Sequence, residues 1–437
     1  MVVSSDGVMR SDIGIVGDTI AAVAPELSGA GTIVDAKGLH VFPSVIDVHL
    51  HFNEPGRTEW EGAATGSRAL AAGGGAVFFD MPLNSTPCTV NGREFERKHA
   101  ALKASSITDF GIWGGLIPGN LGAMAELAER GVVGFKAFLC DSGLPEFPRA
   151  DDLTLLEGLS EAARLNLPVA VHAESHEITQ ELSRRFAGEG RTSVQDFLAS
   201  RPVIAEIEAI QRATLLAQES GARLHIVHVS SGRGVVAAIE ARSRGVDVSI
   251  ETCPHYLFFT EEDLERLGAV AKCAPPLRHR EHQAQLWAEL EKGKIDIVAS
   301  DHSPAPPDMK SGSFHSAWGG IAGVQSTLNV LLDRGHFVHG ISLERISELL
   351  AATPAKRFRI PRKGAIAPGN DADLALVDLG SSFSFKAEDM KHRYPISPYA
   401  GETFRGIVRL TMRRGDIIFN GGSFPSTTRG RLVRPER

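Results

Sequence analysis

Between residues 42 and 303 the chain repeats one unit eight times: a short apolar run rich in β-branched and aromatic residues, a glycine-containing or polar bend, and an Ala/Leu/Glu-rich stretch with helical spacing. The apolar runs are 42–49, 76–81, 110–116, 132–138, 168–172, 223–229, 246–251 and 295–300. Continuous apolar runs of this length read as strands covered on both faces, as in a parallel sheet flanked by helices. Eight βα units in about 260 residues predict an α/β fold, a (β/α)8 TIM barrel. An open doubly wound sheet fits less well, because no Gly-x-Gly-x-x-Gly follows the first run. Gly73-Gly74-Gly75 lacks the Lys-Ser/Thr of a phosphate loop and reads as the turn from a helix into the second strand.

The two ends read differently. Asp12–Val16, Asp373–Val377 and Ile407–Met412 alternate apolar and polar residues between turn residues, the pattern of β-hairpins. Residues 1–41 and 361–437 are therefore expected to pair into one small, sandwich-like β-domain flanking a barrel at 42–360. The arginine-rich stretch from Thr427 to Arg437 reads as a surface tail.

Composition excludes several function classes. A net charge of -7, with no Lys/Arg stripe among aromatics, supplies no field for a phosphate backbone, so no nucleic-acid partner is expected. No apolar run approaches the ~20 residues of a membrane span, and no basic segment precedes an apolar one at the start. The four cysteines, Cys88, Cys140, Cys253 and Cys273, form no Cys-x-x-Cys pair, which fits a reducing, cytoplasmic setting.

A (β/α)8 barrel carries its reactive groups at the C-terminal ends of its strands. His49 and His51 end the first run, with Asp47 on the same parity; residues two apart on a strand face the same way and can converge on one cation. The competing reading is one packed and one solvated imidazole. Lys136, His172, His228 and Asp301 stand at four further strand ends. So many polar groups at one rim need mutual partners. Lys136, between Gly134-Phe135 and Ala137-Phe138, either snorkels to the rim or is desolvated toward the neutral amine. The neutral amine adds carbon dioxide to give a carbamate whose two oxygens can bridge two cations. Among the other histidines, His225 is expected to pack on the opposite strand face, His302 to point elsewhere, His176 to lie in a loop, and His255 to support the ligands. Cys140 and Cys253 line the pocket or are buried as small hydrophobes.

Together Asp47-Val-His-Leu-His51, Lys136, His172-Ala-Glu174, His228-Val-Ser-Ser231, Glu251-Thr-Cys-Pro-His-Tyr256 and Ser300-Asp-His-Ser-Pro304 resemble the cyclic-amidohydrolase branch of the amidohydrolase superfamily. Within that branch Asn53–Gly62, Asp80–Asn84, Ala271–Pro276 and Trp318–Gly323 resemble the allantoinases, and the likeness runs over nearly the whole chain. The resemblance implies a two-metal hydrolase. His49 and His51 would hold the more buried ion with Asp301, His172 and His228 the more exposed one, and Lys136, as N6-carboxylysine, would bridge them. Asp301 would also be the catalytic proton carrier. The ions would be zinc first, with cobalt, nickel or manganese suited to the same donors.

The implied reaction opens the hydantoin ring of allantoin to allantoate, and the implied assembly is a homotetramer. Dihydroorotases carry an arginine two residues after the second histidine, where this chain has Asn53; without that carboxylate clamp a neutral ureide is the expected substrate. Asn53, Asn84, Cys273 and Ala274 are its expected contacts. Hydantoinases and dihydropyrimidinases share the metal set and are the alternative, whereas a non-catalytic scaffold is disfavoured by the six filled ligand positions. Members of the branch usually begin with one more strand, so the small β-domain is expected to lack about one strand.

Overall fold

The computed structural model describes residues 1–4, 7–29, 31–314 and 316–436. Eight parallel strands follow one another around a ring: Val45–Leu50, Gly75–Asp80, Asp109–Ile112 continued by Gly114–Gly115, Phe135–Phe138, Val169–His172, Leu224–Ile226, Val248–Thr252 and Ile297–Val298. Each pairs in parallel with the next. The ring closes where His302 bridges Leu50, with the His51 amide donating to the His302 carbonyl at 2.8 Å. Closure removes every exposed strand edge. Ile46, Val48, Val77, Phe79, Trp113 and Ala170 belong to one buried cluster, while the alternate residues Phe78, Phe110, Phe135, Val169 and Val171 pack with the surrounding helices. This alternation yields the filled interior and the outer helical layer of a TIM barrel.

Two boundaries differ from the sequence reading. The first apolar run is divided at Ser44: His40–Pro43 pairs antiparallel with Leu374–Val377 outside the barrel, and only Val45–Leu50 enters the ring. Residues 41–43 and Val45–Leu50 are both buried, so hydrophobicity does not mark the change of sheet. The sixth and eighth runs leave the ladder at Ile226 and Val298, and the residues beyond them turn into the rim. Before the second strand, helix Ala63–Ala72 stops at Gly73, and Gly74 takes φ 88°, a left-handed turn that favours glycine.

The outer sheet has the order Asp416–Asn420, Thr403–Arg413, Leu374–Ser384, His40–Pro43, Val2–Ser4, Gly7–Met9. The two chain ends therefore share one sheet, beside the hairpin Asp12–Val16/Thr19–Ala24. A buried ionic cluster ties it to the barrel. Lys363 Nζ lies 3.0 Å from Asp109 at the start of the third barrel strand, 2.8 Å from Asp371 and 2.6 Å from Asp373. Arg414 pairs with the other oxygen of Asp109.

The arginine-rich segment, described to Glu436, lies largely at the surface but is docked along the barrel. Phe110 N donates to Arg431 O at 3.0 Å and Val433 N to Phe110 O at 2.8 Å, so the chain runs beside the third strand with Leu432 against the core. Gly430 permits that approach, because a Cβ there would sit 1.8 Å from the Thr108 carbonyl. A composition dominated by arginine hid the apolar Leu432-Val433 step. Among the described residues, no helix is long and apolar enough to cross a membrane.

Lys363→Met would leave Asp109, Asp371 and Asp373 buried around a missing cation. Breaking a buried charge network from one side costs about 3–5 kcal/mol. The expected result is a clear fall in the denaturation midpoint, and an unchanged midpoint would show that the cluster does not fasten the sheet to the barrel.

Candidate active site

The strand ends bring His49, His51, Lys136, His172, His228 and Asp301 to one rim. Ring centroids are 5.8 Å apart for His49 and His51, 5.4 Å for His49 and His228, and 4.6 Å for His172 and His228. Asp301 Oδ1 stands 3.2 Å from His49 Nε2 and 3.6 Å from His51 Nε2. Lys136 Nζ lies 5.0 Å from the centre of the Phe138 ring, which stacks on His172. The first strand carries one more residue than its neighbour between Asp47 and Leu50, a bulge that re-aims the side chains past Asp47. Asp47 consequently braces the site through the backbone: its Oδ1 accepts from His49 N and Ser300 N, each at 3.2 Å.

Buried carboxylates fix the imidazoles. Glu251, on the seventh strand, accepts from His49 Nδ1 at 2.7 Å, His225 Nε2 at 3.0 Å and the His228 amide at 3.1 Å. An ionised carboxylate only accepts, so His49 carries its proton on Nδ1 and turns the Nε2 lone pair toward Asp301. Likewise His172 Nε2 donates to Glu174 at 2.8 Å, which leaves Nδ1 without a partner among the described residues. Arg201 pairs with Glu174 from behind. Sequence reasoning gave neither glutamate a role. The available signal was Glu251 inside Val248-Ser-Ile-Glu-Thr252, a charge in a strand that must be buried.

His225 corrects the sequence reading. It is fully buried below the site, between Ser249 and Glu251, in the chain of contacts that holds His49. Alternation failed because His228 lies past the strand end at φ 41°, outside regular strand geometry. His176 also differs, since it opens the helix His176–Gly188 rather than lying in a loop. His302 is buried behind Asp301, with Nδ1 accepting from Gly323 N at 3.2 Å.

Burial sets the charge states. It lowers Lys136 to about 8, with Asp301 and Glu251 opposing the shift. Burial also lowers His51, His172 and His228, which favours neutral, ligating imidazole. For Glu251, burial would raise the carboxyl, but His49 and His225 hold it at about 2. Asp301 behaves the same way: His49, His51 and His228 outweigh burial and keep it ionised.

These residues fit a metal. Donor atoms of His49, His51 and Asp301 lie within 4.8 Å of one another, and Lys136 Nζ and Nδ1 of His51, His172 and His228 are buried without partners among the described residues. Buried polar atoms are rarely left so. Neutral imidazoles with a carboxylate are the donor set of a borderline divalent ion.

The residues expected to touch substrate lie on the surrounding loops. Asn53 and Asn84 both take left-handed backbone, φ 62° and 67°. The Asn84 amide donates to Ser303 Oγ at 3.3 Å, and Asn53 Oδ1 is buried without a partner among the described residues. Their loops are anchored by Asp80, which accepts from Phe52 N at 3.0 Å and pairs with Lys98 at 3.0 Å. Cys273 is buried and Ala274 half-buried.

The chain is similar to known proteins over its whole length. It is 63% identical to an allantoinase of Solibacter usitatus, covering 100% of this chain and 95% of the other, and 53% identical to an allantoinase of Deinococcus radiodurans, covering 100% and 97%. Among solved structures, the L-hydantoinase (dihydropyrimidinase) of Arthrobacter aurescens superposes with a TM-score of 0.96 at 34% identity, covering 99% and 98%. The dihydropyrimidinase of Brevibacillus agri gives 0.92 at 28% identity, covering 99% and 97%. Residues 40–418 match the amidohydrolase family, and with full-length identities of this size the chain belongs to that family.

Proposed function

We propose that this chain is an allantoinase, a hydrolase that opens the hydantoin ring of allantoin at a ring C–N bond to give allantoate. The observation that carries the reading is full-length identity of 63% and 53% to proteins of that name. The rim supports it chemically. His49, His51 and Asp301 would hold one divalent ion, His172 and His228 a second, and Lys136, after its neutral amine adds carbon dioxide and loses a proton, would bridge them as the carbamate. Two such ions, zinc in the first place, would lower the pKa of water and polarise the carbonyl under attack.

The protein's own groups do the rest. Asp301, ionised and next to two imidazoles, takes the proton of the attacking water and delivers it to the leaving ring nitrogen. Glu251 and Glu174 keep the His49 and His172 lone pairs turned to the site. Asn53 and Asn84 present neutral amides and so suit a neutral ring rich in donors and acceptors, while the neighbouring Arg57 guanidinium is engaged by the Asn84 carbonyl at 3.3 Å and by Glu146 at 2.7 Å. Four buried cysteines without disulfides fit a cytoplasmic enzyme, and assembly as a homotetramer belongs to the same proposal.

The A. aurescens superposition supports a second reading, a hydantoinase or dihydropyrimidinase. Offering allantoin, hydantoin, dihydrouracil and dihydroorotate to metal-loaded protein separates them. Allantoin is expected to open fastest and dihydroorotate slowest; faster turnover of dihydrouracil than of allantoin would overturn the assignment.

Lys136→Ala is expected to lose bound metal and at least about 100-fold in activity, the upper range for losing even an outer partner of a metal ligand. Short-chain carboxylic acids that replace the carbamate should restore part of it. Full activity in the variant would remove Lys136 from the mechanism.

Glu251→Gln tests the buried support. Metal affinity, measured by competition with a chelator, should fall about 10–100-fold. Unchanged affinity would mean that His49 needs no carboxylate behind it.

A further inference from the structure

Two groups on the same rim, Cys253 and His255, take no part in the chemistry above and lie against Asp301, which does. Cys253 directly follows the seventh strand, and His255 lies in the short helix Pro254–Phe258. The Cys253 sulfur, one His255 ring nitrogen and one Asp301 oxygen lie within 4.8 Å of one another. Cys253 is a free thiol with no exposed surface, and His255 is 1% exposed. Its Nε2 has no hydrogen-bond partner among the described residues. A buried imidazole nitrogen kept without a partner is costly, and this ring stands beside a thiol and a carboxylate with which it can share an ion.

We infer that Cys253, His255 and Asp301 form a third cation site, for a soft or borderline divalent ion such as cadmium or excess zinc, whose filling inhibits the enzyme. The donor set decides the class of ion. Sulfur and imidazole select cadmium or zinc over magnesium or calcium, and three protein donors leave a fourth tetrahedral position for water. On binding, the S–H bond breaks, a sulfur–metal bond forms and the proton leaves to solvent, with no redox change. The Asp301 side chain is 14% exposed, which opens the cluster to the rim.

The inhibitory half of the inference rests on the role given to Asp301 under the proposed function. Asp301 Oδ1 stands 3.2 Å from His49 Nε2, so an ion drawn from the Cys253 side competes for the carboxylate that carries the proton. Cys140, His172 and Glu174 form a similar trio within 4.8 Å, but there the carboxylate is already engaged. His172 Nε2 donates to Glu174 at 2.8 Å, and Arg201 pairs with the same carboxylate. Cys140 therefore serves as the control thiol.

The test is to titrate metal-loaded enzyme with cadmium chloride, reading thiolate-to-cadmium charge-transfer absorbance and allantoin ring opening in one sample. Absorbance is expected to saturate at one equivalent beyond the resident metal, with inhibition following it. Cys253→Ser should abolish the absorbance, and Cys140→Ser should retain it. His255→Gln, which also keeps the test alive if Cys253→Ser fails to fold, should raise the cadmium midpoint at least about tenfold, since a lost outer partner alone costs that much. No absorbance, or absorbance that persists in Cys253→Ser, would overturn the site. Absorbance without inhibition would overturn the sharing of Asp301. Failure to open allantoin before any cadmium is added would instead count against the functional reading, and the absorbance would still decide the site.

Discussion

Glu251 sits where the seventh strand of the barrel faces inward, fully buried, and reaches three elements at once. It accepts from His49 Nδ1 on the first strand, His225 Nε2 on the sixth, and the His228 amide just beyond the sixth. A carboxylate in that position is costly unless its oxygens are satisfied by donors. Here the donors are the groups whose orientation matters. The requirement to satisfy one charge thus sets the tautomer of His49, the height of His228 and the depth of His225. Closure of the ring supplies the geometry, because only a barrel brings the first, sixth and seventh strands around one interior point.

That rigid interior also bears strain at the rim. His228 and Asp301 take φ 41° and 44°, and Asn53 and Asn84 take 62° and 67°. Non-glycine residues enter this region at a cost, and such residues gather where surrounding structure over-determines them. The bracing contacts are visible: Glu251 on the His228 amide, Asp47 on the Ser300 amide, and Asp80 on the Phe52 amide. In each case a buried carboxylate grips the backbone next to a strained residue or at it.

How much was legible in the sequence follows from which forces leave a local trace. Barrel strands are continuous apolar runs, so the eightfold repeat and the six rim residues stood out from order along the chain alone. The break at Ser44 did not, because residues 41–43 and Val45–Leu50 are both buried and differ only in which strands they pair with. The docking of Leu432-Val433 beside the third strand was masked by neighbouring arginines. His225 was misplaced for a different reason. Counting alternate faces assumes an unbroken strand, and neither the bulge after Asp47 nor the turn at His228 can be counted from residue types. The glutamates behind the histidines were written in the sequence, but their partners are 202 residues away for Glu251 and His49, and two for Glu174 and His172. Only the second pair was near enough to read, and it was read as a motif rather than as a hydrogen bond.

The charges of the rim and of the barrel floor are arranged for opposite ends. At the floor Lys363 and Arg414 face Asp109, Asp371 and Asp373, so cation and anion meet inside the protein and hold the outer sheet in place. At the rim the matching cation is withheld. Burial drives Lys136 toward the neutral amine and lowers His51, His172 and His228, while Asp301 stays ionised beside them. Glu174 has Arg201, but no guanidinium or ammonium pairs with Asp301 among the described residues. A carboxylate at the rim, ringed by imidazole nitrogens, is stabilised by a divalent cation in the way Asp109 is stabilised by Lys363. Turning Lys136 into a carbamate extends the same logic, since it replaces a group that would repel such an ion with one that attracts it.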